Sequence, residues 1–211
     1  MESPRIVRVG RERFDEVVDA LCDAFRDYPV MRFVLKDSGV HYDAHLAQLV
    51  GYFTDLRVSR GWPVLAVSRG NEILAAASVN PPHPAPRPAA LRERYERMCG
   101  ELGEAAIARF NAFADACGPL EPDELHYYVG MIGVRSDCQG RGYARLLLDA
   151  VHEMSGGDPD STGVALTTET ERNLPFYRHF GYEIVGQAQV DTLQTWTLFR
   201  RNGDRIRNLK E

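Results

Sequence analysis

The chain has 211 residues, with 30 Asp and Glu against 25 Lys and Arg and a formal net charge of −5. That length is one domain of generous size, or a core fold with an insertion, and it can bury about 70% of the surface its unfolded chain exposes. The acidic balance argues against a nucleic-acid binder driven by phosphate neutralisation and suits a cationic partner better. No apolar run reaches the ~18 residues of a membrane span. The opening Met1-Glu2-Ser3-Pro4-Arg5 lacks the apolar stretch of a signal peptide, so cytoplasmic residence without a membrane partner is expected. Cys22, Cys99, Cys117 and Cys138 lie far apart without C-x-x-C spacing, which suggests neither a zinc site nor a redox pair.

Ile6 to Val9 alternates like a first strand. Phe14, Val17, Val18, Leu21, Cys22 and Phe25 then recur at steps of three and four, which predicts an amphipathic helix. It stops at Asp27-Tyr28-Pro29, because proline disfavours helical geometry in the residue before it. A second helix is predicted from His45, Leu46, Leu49, Val50, Phe53 and Leu56, ending around Ser59-Arg60-Gly61. His41 and His45 stand four apart, a metal-compatible spacing, but without an HExxH context they read as a surface pair. Val64 to Val67, a Ser68-Arg69-Gly70-Asn71 turn and Ile73 to Val79 read as a hairpin.

Prolines 81, 82, 84, 86 and 88 then end regular structure. Ala89 to Ala116 reads as two short helices broken near Gly100 and Gly103, carrying Leu91, Tyr95, Met98 and Leu102, then Ala106, Ile107, Phe110 and Phe113. Residues 81–118 would thus be a Pro-rich loop plus helical insertion within a single domain spanning 1–211. At the far end, Glu183 to Val190 and Leu193 to Arg200 alternate as two closing strands. The basic residues Arg200, Arg201, Arg205, Arg207 and Lys210 read as a solvated tail.

The most informative stretch is Val134-Arg135-Ser136-Asp137-Cys138-Gln139-Gly140-Arg141-Gly142-Tyr143-Ala144, a strand running through a glycine-broken loop into a helix. Gly140 and Gly142 allow backbone conformations closed to other residues, so successive N–H groups can converge on one anion at the positive end of the helix. That pattern predicts a phosphate-bearing ligand. A Walker loop is excluded because no Gly-Lys-Ser or Gly-Lys-Thr occurs, and a dinucleotide fingerprint because its third glycine would fall at Arg145. About thirty residues on, the chain reads Glu171-Arg172-Asn173-Leu174-Pro175-Phe176-Tyr177-Arg178-His179-Phe180-Gly181-Tyr182. Asn173 is a good N-cap, Pro175 is tolerated in the first turn and Gly181 can supply a left-handed C-terminal cap.

Gln139-x-x-Gly142-x-Ala144 resembles the acetyl-CoA pyrophosphate loop of the GNAT superfamily of N-acyltransferases, and the Asn173 block resembles that superfamily's last helix. The runs from His126 to Val134 and from Arg172 to Tyr177 are particularly similar to the puromycin N-acetyltransferase-like group. The resemblance is specific over 125–182 and general before it. It implies an α/β fold with a mixed central sheet of about seven strands, helices on its faces, splayed fourth and fifth strands, and the helical insertion between strands three and four.

The resemblance also assigns roles. Acetyl-CoA would be the co-substrate, with no metal, and the acceptor a primary amine of a small molecule. Ile132 and Val134 would pair with the pantetheine arm along the block that includes Gly133, and an N–H near Met131 or Ile132 would polarise the thioester carbonyl. Gln139, Gly140, Arg141, Gly142, Tyr143 and Ala144 would hold the pyrophosphate, with Arg141 and Arg145 as charge partners. Asn173, Phe176 and Tyr177 would line the arm, with Tyr177 as the acid that protonates the leaving sulfur. A homodimer is compatible with such a chain.

An alkylamine with pKa ~10.4 is neutral at pH 7 only once in about 2,500 molecules, a deficit worth ~4.6 kcal/mol. A base or a desolvating pocket is therefore required. Three candidates stay open. His126 has a suitable intrinsic pKa but stands at the strand's outer end. Tyr128 shares its face and could relay a proton through water, and Glu169 follows the fifth strand near the expected gap. Related sequences often carry Glu at the position of Thr167, which leaves any inherited carboxylate role open. Two other functions compete: a non-catalytic acyl-CoA-binding or sensing module, and an acetyltransferase of protein N-termini or lysines. The insertion suggests a covered pocket, which favours small molecules.

Overall fold

The computed structural model describes residues 3–203, so Arg205, Arg207 and Lys210 of the basic tail lie outside the described residues. Seven strands form one sheet in the order β1-β2-β3-β4-β5-β7-β6. They are β1 Arg5–Arg8, β2 Val64–Arg69, β3 Glu72–Asn80, β4 Tyr127–Val134, β5 Gly163–Thr168, β6 Glu183–Val190 and β7 Leu193–Arg201. All neighbours are antiparallel except β4 and β5. A parallel pair needs a crossover, which α6 (Tyr143–Gly157) supplies. The β6–β7 hairpin turns at Asp191, held at φ 55°, a left-handed conformation that Asp tolerates better than most residues.

The centre of the sheet is buried on both faces, which is why β2 and β3 are apolar runs without simple alternation. On one side α1 (Phe14–Phe25) and α3 (Tyr42–Ser59) bring Val17, Leu21, Leu49 and Val50 onto Ala66 and Ala76. On the other, α6 brings Leu147, Leu148 and Val151 onto Val67, Ala77 and Leu166. Gly133 lets α1 lie close on β4: a Cβ there would stand 2.6 Å from the Ala24 Cβ.

The insertion is α4 (Ala90–Leu102) and α5 (Glu104–Cys117), joined at Gly103, whose φ of 81° makes it the break rather than Gly100. α4 packs along α3, with Tyr95 5.3 Å from Tyr52 between ring centres, while α5 lies against α2 (Pro29–Val34) and β6 and touches α3 where Phe110 stands 5.2 Å from Phe53. The result differs from the single apolar stripe expected of α3. Thr54, Asp55 and Arg57 are buried as well, with Asp55 paired to Arg94 of α4 and Arg57 bonded to Asn80 of β3. A six-residue helix, α2 (Pro29–Val34), also follows Pro29, where the sequence suggested only an ending. Proline at N1 starts it, and six residues are too few to show a helical period. No helix among the described residues is long and apolar enough to cross a membrane.

Two irregularities in β4 shape the centre of the sheet. Its pairing with β5 is confined to Tyr127↔Val164, Tyr128↔Ala165 and Val129↔Leu166, after which the strands part. Its register with β3 slips between Ser78 and Val79, so Gly130 is the extra residue of a bulge. Tyr128 and Gly130 share a face as the alternation predicts, but the bulge brings Met131 onto that same side, against the α1–α3 core.

Candidate active site

Where β4 and β5 part, a cavity of about 730 Å³ opens. Its one wall is helical, with Tyr28, Phe53, Arg57 and Phe110, and its other wall is the free edge of β4 from Gly130 to Val134. Leu166 and Thr167 of β5 border it, with Glu169 just beyond the strand. It runs on to Gln139, Gly140 and Gly142 of the loop and to Asn173, Phe176 and Tyr177 of α7 (Leu174–His179).

The loop has the geometry of an anion cradle. Ser136–Cys138 forms a single 3-10 turn, buried at Cys138, which anchors the start of the loop. Gly140 and Gly142 then take φ of 74° and 80°, and α6 begins at once, with its first main-chain bond from Leu146 N to Gly142 O. Among the described residues, no acceptor engages the main-chain N–H groups from Gly140 to Arg145. Amides left free at a fifteen-residue helix's positive end suit a phosphate. The flanking cations are accounted for: Arg141 donates to the Asp137 carbonyl at 3.2 Å, and Arg145 pairs with Asp149 at 3.5 Å, both in exposed positions that a bound anion can reorganise. The cradle fits a pyrophosphate group through main-chain donors.

Glu169 is the group most changed by its surroundings. It is 9% exposed, and burial lifts its carboxyl to about 7 against the opposing hydrogen bonds it accepts. The Thr195 hydroxyl donates to Oε1 at 3.0 Å. The Glu169 main-chain N–H donates to the Tyr28 hydroxyl at 3.2 Å, and that hydroxyl pairs with Thr168 Oγ1 at 2.9 Å. A carboxylate that titrates near neutrality beside a cleft can accept a proton at physiological pH.

Tyr177 lines the cavity from α7, packed between Phe176 and Tyr182 at 5.3 and 5.7 Å between ring centres. Among the described residues no hydrogen bond engages its hydroxyl. Burial, with the nearby Glu169 charge adding to it, raises its pKa, so it is protonated at neutral pH and able to donate.

The other expected residues sort clearly. Tyr128 faces the cavity with its hydroxyl 3.2 Å from Thr167 Oγ1, and burial raises its pKa, which makes it a poor base. His126 stands outside the cavity lining: Nδ1 lies 2.7 Å from the Glu124 carbonyl, Nε2 3.7 Å from Glu121, and the ring meets Phe199. It therefore reaches no reacting group, because β4 starts one residue later and points it toward the closing strands. Asn173 precedes α7 but makes no side-chain cap, contrary to expectation. Its Nδ2 donates instead to Thr168 Oγ1 at 3.1 Å, tying α7 to the end of β5. The His41 and His45 rings stack at 5.9 Å, with His45 Nδ1 2.8 Å from Ser38 Oγ. Tyr28, Arg57, Thr168 and Thr195 were not anticipated. Only Tyr28 carried a hint, standing at the helix-ending Tyr-Pro step.

Residues 99–184 match the family model described as an acetyltransferase (GNAT) domain. Solved structures share the fold at low identity. The histone acetyltransferase HPA2 and related acetyltransferase of Corynebacterium glutamicum is 17% identical with a TM-score of 0.70, over 97% of this chain and 99% of that one. The C-terminal condensation domain of Ebony, in complex with beta-alanyl-dopamine, is 13% identical with a TM-score of 0.68, over 95% and 100%. The mosquito arylalkylamine N-acetyltransferase like 5b is 15% identical with a TM-score of 0.61, over 94% and 100%. The protein thus has the GNAT fold, and residues 99–184 are similar to the GNAT acetyltransferase domain.

Proposed function

We propose that the whole chain works as one catalytic domain, an acetyl-CoA-dependent N-acetyltransferase acting on a primary amine of a small molecule by direct attack in a ternary complex. The observation that carries this reading is the joining, in one cavity, of free helix amides, a carboxyl poised near 7 and an unengaged tyrosine hydroxyl. Acetyl-CoA would supply a thioester, whose acetyl carbon forms the new C–N bond as its C–S bond breaks.

The residues divide the work. Amides of Gly140 to Ala144 hold the pyrophosphate, and the unpaired edge of β4 receives the arm as an extra strand. A main-chain N–H near Met131 or Ile132, exposed by the bulge and the splay, donates to the thioester carbonyl oxygen where negative charge develops. Glu169 takes the proton that the attacking amine sheds. Tyr177 gives its hydroxyl proton to the departing sulfur and regains one from solvent. With a leaving thiol of pKa ~8.5, this last step assists the reaction without being obligatory.

The acceptor side supports a small molecule with an apolar or aromatic body. Tyr28, Phe53, Phe110 and Phe113 line it, the last two from α5, and such an aromatic wall suits a compact apolar body better than a polar protein tail. The fold shared with an arylalkylamine N-acetyltransferase and with a domain holding beta-alanyl-dopamine agrees with that class. The test is release of free thiol from acetyl-CoA against aminonucleosides, aminoglycosides, polyamines, arylalkylamines and amino acids. Tight coenzyme A binding without transfer to any of these amines would identify a sensing module instead.

A further inference from the structure

Arg57 lies in the last turn of α3 and is 7% exposed, yet among the described residues no carboxylate pairs with it. Nε donates to Asn80 Oδ1 at 3.0 Å and Nη1 to the Phe53 carbonyl at 2.9 Å. Those two bonds fix the plane of the guanidinium and use two of its five donors. Nη2 reaches the bulge of β4, where a Cβ on Gly130 would come within 2.4 Å of it, and Arg57 and Gly130 both line the cavity. The buried carboxylate on the same helix, Asp55, is committed elsewhere, to Arg11 at 2.6 Å and to Arg94. Burial draws the Arg57 pKa down to about 10, so the group is still charged at neutral pH.

A buried cation without a counter-charge is costly, and its remaining donors want acceptors. A guanidinium held in plane by its neighbours matches the two oxygens of a carboxylate. The same cavity carries Glu169, and Tyr128 lines it as well. Cation and carboxylate around one aromatic-lined space complement a zwitterion. We propose that Arg57 anchors a carboxylate carried by the acceptor, so that the preferred amines are amino acids with an apolar or aromatic body rather than simple amines. This rests on the N-acetyltransferase reading and names its substrate class.

The test compares matched acceptors with the full-length protein and acetyl-CoA: phenylalanine, β-phenylalanine and tyrosine against their methyl esters and against phenethylamine and tyramine. At least one amino acid should exceed its decarboxylated partner in kcat/KM by about tenfold or more, the effect of a hydrogen-bonded charge pair. Arg57→Lys keeps a buried cation but loses the fork, and should shrink that ratio several-fold. Arg57→Gln should abolish it, through KM rather than kcat. Equal turnover of acids and decarboxylated amines by the unaltered protein overturns the proposal, even where Arg57→Gln fails to fold. A ratio unchanged in Arg57→Lys and Arg57→Gln overturns it as well. If no amine releases thiol, the transfer reading itself fails. The carboxylate claim is then decided by calorimetry, in which phenylalanine should bind the unaltered protein more tightly than phenethylamine and lose that advantage in Arg57→Lys.

Discussion

The Tyr28 hydroxyl accepts the main-chain N–H of Glu169 at 3.2 Å, tying together residues 141 apart in the sequence. Through Thr168 Oγ1 the same hydroxyl connects to Asn173 Nδ2, so the start of α2, the end of β5 and the start of α7 share one polar cluster. Its effect is to hold the Glu169 backbone where β5 leaves β4, with the carboxyl steered by Thr195. The proposed base is thus placed by four separate elements rather than by its own loop.

Glu169→Gln keeps the shape and the Thr195 bond but cannot take a proton. For the unaltered enzyme, kcat/KM should rise with pH through about 7 as the carboxyl ionises. The variant should lose that inflection and keep only the rise from the amine's own ionisation, with activity lower by about 10²- to 10⁴-fold. An unchanged pH profile would assign the base to another group.

The same substitution reads out in stability. Burial raises the folded-state pKa of Glu169 from 4.5 to about 7, so between these values the folded protein binds more protons than the unfolded chain. The stabilising contribution is complete below the lower value and is lost as pH climbs through the upper one. At 1.36 kcal/mol per unit it is on the order of 3 kcal/mol. Urea unfolding at pH 5 and pH 8 should therefore show a larger loss for the unaltered protein than for Glu169→Gln. Equal losses would mean the carboxyl is not desolvated.

Tyr177→Phe removes a hydroxyl that no protein group engages, so folding should be untouched. Turnover should fall about a hundredfold, the range of a single positioned acid, with coenzyme A affinity by calorimetry nearly intact. Unchanged turnover would reduce Tyr177 to a packing residue.

The cradle and the helix behind it were legible because glycine spacing and a following amphipathic period are local signals, and Gly140 and Gly142 do take the left-handed conformations they imply. β6 was equally plain from alternation, and β2 and β3 from two apolar runs on either side of a Gly-Asn turn. Arg57 and Asp55 were not, because their surroundings come from distant parts of the chain: Asp55 meets Arg94 of α4, and Arg57 meets Asn80 of β3 and the β4 bulge at Gly130. Thr195 was invisible for a related reason: it sits on β7, which enters the sheet between β5 and β6. Asn173 is of an N-cap residue type, yet its side chain finds its partner in Thr168 rather than in the helix amides.

Gly133→Ala tests how tightly α1 must sit on β4. The added methyl would stand 2.6 Å from the Ala24 Cβ and 3.3 Å from the Phe25 ring, so the helix has to move. Overpacking of this kind costs about 1–3 kcal/mol, visible as a lower urea midpoint at constant slope. Ala24 and Phe25 also line the cavity, so KM for the amine should change along with stability. A midpoint unchanged from that of the unaltered protein would mean that the interface has slack.

Gly142→Val separates backbone conformation from packing. Gly142 holds φ at 80° at the head of α6, and nothing lies within 4 Å of where its Cβ would be. Valine therefore meets no neighbour, and its whole effect comes from the left-handed conformation, which a β-branched residue resists at about 1–3 kcal/mol. The loop should relax that strain by rotating the amides of Gly140 to Ala144 away from their common centre. Coenzyme A affinity should then fall by at least about tenfold while the far-ultraviolet spectrum is kept, since the strain equals one or two decades in binding. Gly142→Asn should lose much less, because asparagine enters the left-handed region readily. Equal, tight binding by the glycine, asparagine and valine forms would show that the diphosphate is held by side chains, with Arg141 and Arg145 the first to replace.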